Sequence, residues 1–225
     1  MCGRFALTLP NDALAQLFAA SPANTLPALP NYNICPTNPV ACVLPSASGR
    51  RMGPMRWGFV PQWYARPNAG PLLINARAET IATKPAFAAA VRKRRCLIPA
   101  SGFYEWEKTE TGARLPWYVS RADGQPMVFA GLWQNWVDDT GRHASCAIVT
   151  TPAGDDIADI HHRQPLILGA DDWALWLGEA GHGAARLMQP SPPGCLRRWR
   201  VGPEVNSNRA SGAGLCQPLA SVDQS

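Results

Sequence analysis

Cys96-Leu97-Ile98-Pro99-Ala100-Ser101-Gly102-Phe103-Tyr104-Glu105-Trp106 opens as a short apolar run and closes with a carboxylate set between aromatic residues. Residues 96–98 belong to a series of short apolar runs with β character, the others being 40–44, 55–59, 72–74, 117–119, 127–132 and 144–150. Three helices are expected among them. The first covers residues 11–20, with Asn11 as cap and Leu14, Leu17 and Phe18 on one face. The second covers 85–94, with Pro85 in its first turn and a basic end (Arg92, Lys93, Arg94, Arg95) where the helix dipole favours cations. The third covers 171–177, with Trp173, Trp176 and Leu177 facing inward. Many short strands with few helices indicate an α+β fold: a single domain with a curved, barrel-like, mainly antiparallel β core.

The rest of the composition fits. A chain of 225 residues with 46% hydrophobic content can bury one substantial core, while 22 prolines and 19 glycines keep its elements short. The domain is expected over residues 2–220, with a polar frayed tail at 221–225. No stretch is long and apolar enough for a membrane span, and the start lacks a signal-peptide pattern. A cytoplasmic monomer is therefore expected. The seven cysteines include no Cys-x-x-Cys, and no histidine stands at zinc-site spacing from one, so no metal or cofactor is implied. Most should be reduced thiols packed in the core. The net charge is +5, and all but three of the 21 basic residues are arginine. Arginine suits bidentate phosphate contact. Codon usage in a high-GC genome explains the excess equally well.

Four places carry chemistry. The first is Met1-Cys2-Gly3-Arg4-Phe5. Trimming of Met1 would leave an amine and a thiol on adjacent carbons, a pair that condenses with an aldehyde to a thiazolidine ring. An α-amine titrates near about 7.7–8.0, so part of it is nucleophilic at neutral pH. The alternative is an ordinary buried strand start. The second is Ile74-Asn75-Ala76-Arg77-Ala78-Glu79, where polar residues at every second position share one face of an extended segment. An edge strand with a solvated face would look the same. The third is Glu105, whose apolar surroundings would raise its pKa into the range of a general acid. A glutamate pointing to water is the alternative, and Trp106 beside it is either core or a platform for an unstacked base. The fourth is Asp159-Ile160-His161-His162-Arg163-Gln164-Pro165, a loop suited to proton handling.

In this order the motifs resemble the SOS response-associated peptidase (SRAP) family, whose members shield abasic sites in DNA. The likeness takes in Tyr32-Asn33-Ile34-Cys35-Pro36-Thr37, Arg56-Trp57-Gly58-Phe59-Val60-Pro61, Lys84-Pro85-Ala86-Phe87 and Val205-Asn206 as well as the four places above. The resemblance implies covalent capture of abasic sites in single-stranded DNA: the Cys2 amine attacks the ring-opened sugar aldehyde and the Cys2 thiol closes a thiazolidine. It implies a catalytic set of Cys2, Asn75, Glu105 and His161. Asn75 would orient the amine and sugar, Glu105 would shuttle protons and assist autoproteolytic release of Met1, and His161 would open the sugar ring. Arg4, Arg77 and Arg163 are expected at flanking phosphates, with Trp106 stacked on a neighbouring base. Two positions depart from the family pattern. His162 stands where aspartate is common, which makes the charge around His161 less negative. Cys35 stands where alanine is common and reads as a small core residue. Two rival functions are a thiol peptidase using Cys2, His161 and Glu105 or Asn75, and a non-covalent reader of single-stranded DNA.

Overall fold

The computed structural model describes residues 2–219; Met1 and the tail read as frayed lie outside the described residues. The elements in chain order are β1 (Phe5–Leu7), α1 (Asn11–Leu17), β2 (Ala20–Pro22), β3 (Asn31–Ile34), β4 (Pro39–Ser46), β5 (Gly49–Trp57) and β6 (Asn75–Arg77). Then come α2 (Pro85–Lys93), β7 (Arg95–Ala100), β8 (Gly102–Lys108), β9 (Arg114–Arg121), β10 (Met127–Asp138) and β11 (Gly141–Pro152). The chain ends with β12 (Arg163–Pro165), α3 (Trp173–Leu177) and β13 (Leu196–Arg200) among short 3-10 turns. The architecture is α+β, mostly strand, as expected from the sequence.

The strands β4, β5, β11, β10 and β7 close into a ring. All its pairings are antiparallel except β5 with β11, which run parallel and complete the closure. Cys42 on β4 and Cys146 on β11 share a thiol contact although their strands are not neighbours in the ring, so they meet across its interior. Gly131 belongs to this packing: a Cβ there would lie 2.7 Å from Cys96 Sγ. A second sheet of five strands, ordered β13-β9-β8-β1-β3, lies against the ring.

The stretch 96–106 makes the join. Residues Arg95–Ala100 are a stave of the ring, and after Ser101 the chain continues as β8 in the other sheet. The switch is held by the Ser101 amide donating to Ala6 O (2.7 Å) and the Thr8 amide donating to Ser101 Oγ (2.9 Å). Gly102 follows because a Cβ there would lie 2.5 Å from both the Tyr118 ring and Val119 O. The two sheets are welded by aromatics. Phe5 packs on Trp57 (5.1 Å between centroids) and Phe129 (5.7 Å), and Phe103 on Phe129 (6.2 Å). Phe5 and Phe103 therefore mark the inner face of the five-stranded sheet. Its outer face carries a smaller cluster of Ala6, Tyr104, Tyr118, Val201, Val205 and Leu215.

The helix expected over 11–20 stops at Leu17, Ala20 opens β2, and Leu17 is exposed while Leu14 and Phe18 are buried. Two further expectations shifted. The run at 72–74 forms only a bridge from Leu73 to Phe59, and the strand lies one step on, at Asn75–Arg77, in parallel pairing with β11. Asn11 is inside the helix rather than its cap; Pro10 takes the flanking position, and Asn11 Nδ2 instead donates to Pro27 O (3.0 Å). Of the seven cysteines, Cys2, Cys35, Cys42, Cys96 and Cys146 are buried free thiols, Cys216 is half-buried and Cys195 exposed. Among the described residues no helix is long and apolar enough to cross a membrane.

Candidate active site at the amino terminus

Cys2 is wholly buried (0% exposed) where the chain enters β1. The reason is topological: β1 is sandwiched between β3 and β8, which pulls the preceding residues into the seam between the sheets. Asn75, at the start of β6, donates from Nδ2 to Cys2 O at 2.9 Å. Its Oδ1 is buried and has no hydrogen-bond partner among the described residues. A buried amide oxygen left open beside the residue-2 backbone is an acceptor without its donor, and such groups are costly unless something fills the place. Burial pushes the Cys2 thiol well above its ordinary pKa, the nearby Glu105 carboxylate adds to the rise, and the charge of the amino terminus opposes it. At neutral pH the sulfur is a thiol, not a thiolate.

Glu105 is buried (3% exposed) on β8. Burial raises its carboxyl pKa, against the lowering influence of the amino-terminal charge and the Trp106 amide. His161 is lowered to about 4, first by burial and then by the amino-terminal charge, with smaller contributions from His162 and Arg163. Its ring stacks on His162 at 4.4 Å between centroids. His161 Nδ1 lies 3.0 Å from the Arg163 amide nitrogen and 3.2 Å from the Arg163 carbonyl oxygen, so the backbone of Arg163 fixes the ring's orientation. Cys2, Glu105 and His161 all respond to the one amino-terminal charge. Three elements distant in sequence thus bring a thiol, a carboxyl group and an imidazole around the start of the chain, with the Asn75 carboxamide against Cys2.

The residues read as DNA contacts fall in three places. Arg77 is exposed at the end of β6. Arg4 is buried: Nη1 donates to Asn33 Oδ1 and Val205 O, both at 2.8 Å, and its guanidinium lies 5.5 Å over the Trp106 ring. Arg4, Trp106, Arg114 and Asn206 line a shallow surface pocket of about 390 Å³. Alternation along β8 turns Trp106 to the outer face, away from Glu105. Arg163 spends its guanidinium inside the protein, on Glu79 Oε1 (2.6 Å) and Oε2 (3.1 Å) and on Thr150 O (2.7 Å). It ties the turn after β6 to β11 and β12, the strands flanking Asn75 and His161. Glu79 leaves the strand face for that turn, and the Arg163 hydrogen bond lowers its pKa first of all. This pairing across 84 residues has no local signal in the sequence. The loop that carries His161 is also clamped from β13: Asp156 accepts from the Gly194 (2.8 Å) and Leu196 (2.9 Å) amides, and Asp159 pairs with Arg198.

These features define a strand-rich α+β protein with a buried polar site at its own amino terminus. The chain belongs to the SOS response associated peptidase (SRAP) family, whose model matches residues 1–208. It is 32% identical over 222 residues to abasic site processing protein YoaM of Bacillus subtilis, covering 96% of this chain and 97% of the relative. It is 30% identical over 228 residues to abasic site processing protein YedK of Escherichia coli, covering 97% and 100%. In fold it is similar to a protein from Bacteroides thetaiotaomicron solved by crystallography, with a TM-score of 0.85 over 97% of this chain and 23% identity.

Proposed function

We propose that this chain captures abasic sites in single-stranded DNA by forming a thiazolidine between Cys2 and the sugar aldehyde, after autoproteolytic loss of Met1, and so shields the strand from cleavage. The observation that carries the reading is the Asn75 carboxamide. It grips Cys2 O with Nδ2 and leaves Oδ1 open beside the same residue, where it can accept from the freed Cys2 amine. The names of the relatives supply the substrate class.

The protons then balance. With its Nε2–H turned to the sugar, His161 hydrogen-bonds the ring oxygen as the C1′–ring oxygen bond breaks; the C1′ hydroxyl proton passes through solvent to that oxygen, so His161 stays neutral. The neutral Cys2 amine then adds to the C1′ aldehyde, and an amine proton moves to the carbonyl oxygen to give a carbinolamine. Glu105, whose burial favours the protonated form, gives its proton to the carbinolamine hydroxyl, which leaves as water. The Glu105 carboxylate so formed takes the proton of the Cys2 thiol, and the sulfur closes on the iminium carbon. One water is lost overall and Glu105 is restored. Arg77 meets a flanking phosphate, and the Arg4–Trp106 pocket offers a second contact. Arg163 acts by holding the Glu79 turn rather than by touching DNA.

The raised thiol pKa speaks against a peptidase that must start from a thiolate, because reactive cysteines of that kind have lowered pKa values. The test is a denaturing gel of the protein incubated with a single-stranded oligonucleotide bearing one abasic site. A retarded band is expected for the natural protein and none for Cys2→Ala. A band of equal strength with Cys2→Ala excludes the mechanism, and absence of a band with both proteins leaves only non-covalent reading.

A further inference from the structure

Ladder register places Glu105 on β8 opposite Trp117 on β9, and Trp117 opposite Arg200 on β13. Directly paired residues share a face, so all three lie on the side of the sheet that Phe5 and Phe103 turn toward the ring. Arg200 is two strand spacings from Glu105, about 10 Å. Its guanidinium lies 5.6 Å over the Trp117 ring, and the Trp117 indole is held by Nε1 donating to Glu107 Oε2 at 2.9 Å. Arg198, two residues earlier on the same face, also lies over Trp117 (5.5 Å), but its charge is taken by Asp159. The Arg200 guanidinium has no hydrogen bond or ion pair among the described residues, and its Nε is buried without a partner. A cation stacked on an indole keeps its N–H edge free while its plane is supported, the arrangement that suits a phosphate oxygen.

We propose that Arg200, seated on Trp117, is a subsite for the backbone phosphate of a nucleotide flanking the abasic residue, on the inner face of the sheet beside Glu105. This deepens the function proposed above and rests on it for the kind of strand bound. Trp106, the stacking residue suggested by sequence, points to the opposite face; Trp117 is the tryptophan that shares Glu105's face. The row extends the footprint away from Arg77, so a bound strand crosses the site from β6 to β13.

The test uses an undamaged single-stranded oligonucleotide, which has no aldehyde, and reads equilibrium binding against salt by fluorescence anisotropy. Arg200→Gln should flatten the slope of log affinity on log salt by about 0.7, the share of one phosphate contact on a single strand. Arg197→Gln is the control: the same charge on the same strand, exposed, facing the other side and bonded to Ser120 Oγ. It should leave the slope unchanged. An unaltered slope in Arg200→Gln, or an equal fall in Arg197→Gln, overturns the subsite. A second measurement needs no variant. Phenylglyoxal modification of the natural protein, mapped by mass spectrometry, should show Arg200 protected by the oligonucleotide and Arg197 not; equal modification of Arg200 with and without DNA overturns the proposal. Protein that binds and protects Arg200 yet never crosslinks abasic DNA refutes the covalent reading alone. Protein that crosslinks with Arg200 unprotected refutes the subsite alone.

Discussion

Glu105 is caught between two demands. Buried at 3% exposure, its carboxylate form costs stability, and that same cost keeps a proton available for chemistry. Glu105→Gln should therefore unfold at a higher temperature than the natural protein at neutral pH while forming the adduct about 10²–10⁴-fold more slowly. The stability gain should vanish as pH falls below about 4.3, where an unfolded-chain glutamate is itself protonated; thermal melts across pH read one effect and single-turnover gels the other. His161 has the opposite charge type but a comparable logic. Its folded pKa of about 4 lies below the ordinary imidazole value of about 6.5, so between these values the unfolded chain binds a proton that the folded protein does not. Stability must then fall as pH drops through that window, and His161→Gln should lose that part of the slope in the same melts. The four residues of the candidate site were legible in the sequence because each is a polar group in a small or apolar context, inside a motif. Trp117 and Arg200 were not, since nothing in Trp117-Tyr118-Val119 or Arg198-Trp199-Arg200 says which face meets Glu105 until the strand register is known.

Asn75 and His161 come from neighbouring elements that depend on one ion pair. Strand β6 is only three residues long and pairs with β11 alone, so its placement relies on the turn that follows it. There Arg163 joins Glu79 to Thr150. Arg163→Ala should cost about 1–3 kcal/mol, because Thr150 O loses a charged donor in a buried place while Glu79 regains water; chemical denaturation measures it. Glu79 is held below its ordinary pKa, so the pair's contribution is complete above about 4.3 and is lost as pH falls through the lowered value. Arg163→Ala should then lack part of the natural protein's acid sensitivity. At this scale the apolar runs marked six of the thirteen strands among the described residues (β4, β5, β7, β9, β10 and β11), and the sequence marked all three α-helices. It misplaced β6 by a few residues because the apolar run 72–74 is the approach to the strand, bridged to Phe59 through Leu73 with Leu72 exposed, and the polar alternation beginning at Asn75 is the strand. The short pieces β1, β2, β3, β12 and β13 carry too few residues for any period to show.

Across the whole molecule the closed ring makes a rigid wall, and the five-stranded sheet presses the amino terminus against it. The α+β class and the barrel-like core followed from the spacing of short apolar runs. Closure through the one parallel pairing, β5 with β11, did not, because parallel contacts join segments far apart in the chain. The candidate site accordingly draws on residues far apart in the chain, Cys2 ahead of β1, Asn75 on β6, Glu105 on β8 and His161 just before β12. The central claim is that the freed amine and the thiol of Cys2 act together on one sugar carbon. Its most direct test is the intact mass of the species formed with an abasic single-stranded oligonucleotide. The expected mass is that of the protein lacking Met1 plus the oligonucleotide less one water; an adduct that retains Met1 would contradict the mechanism outright.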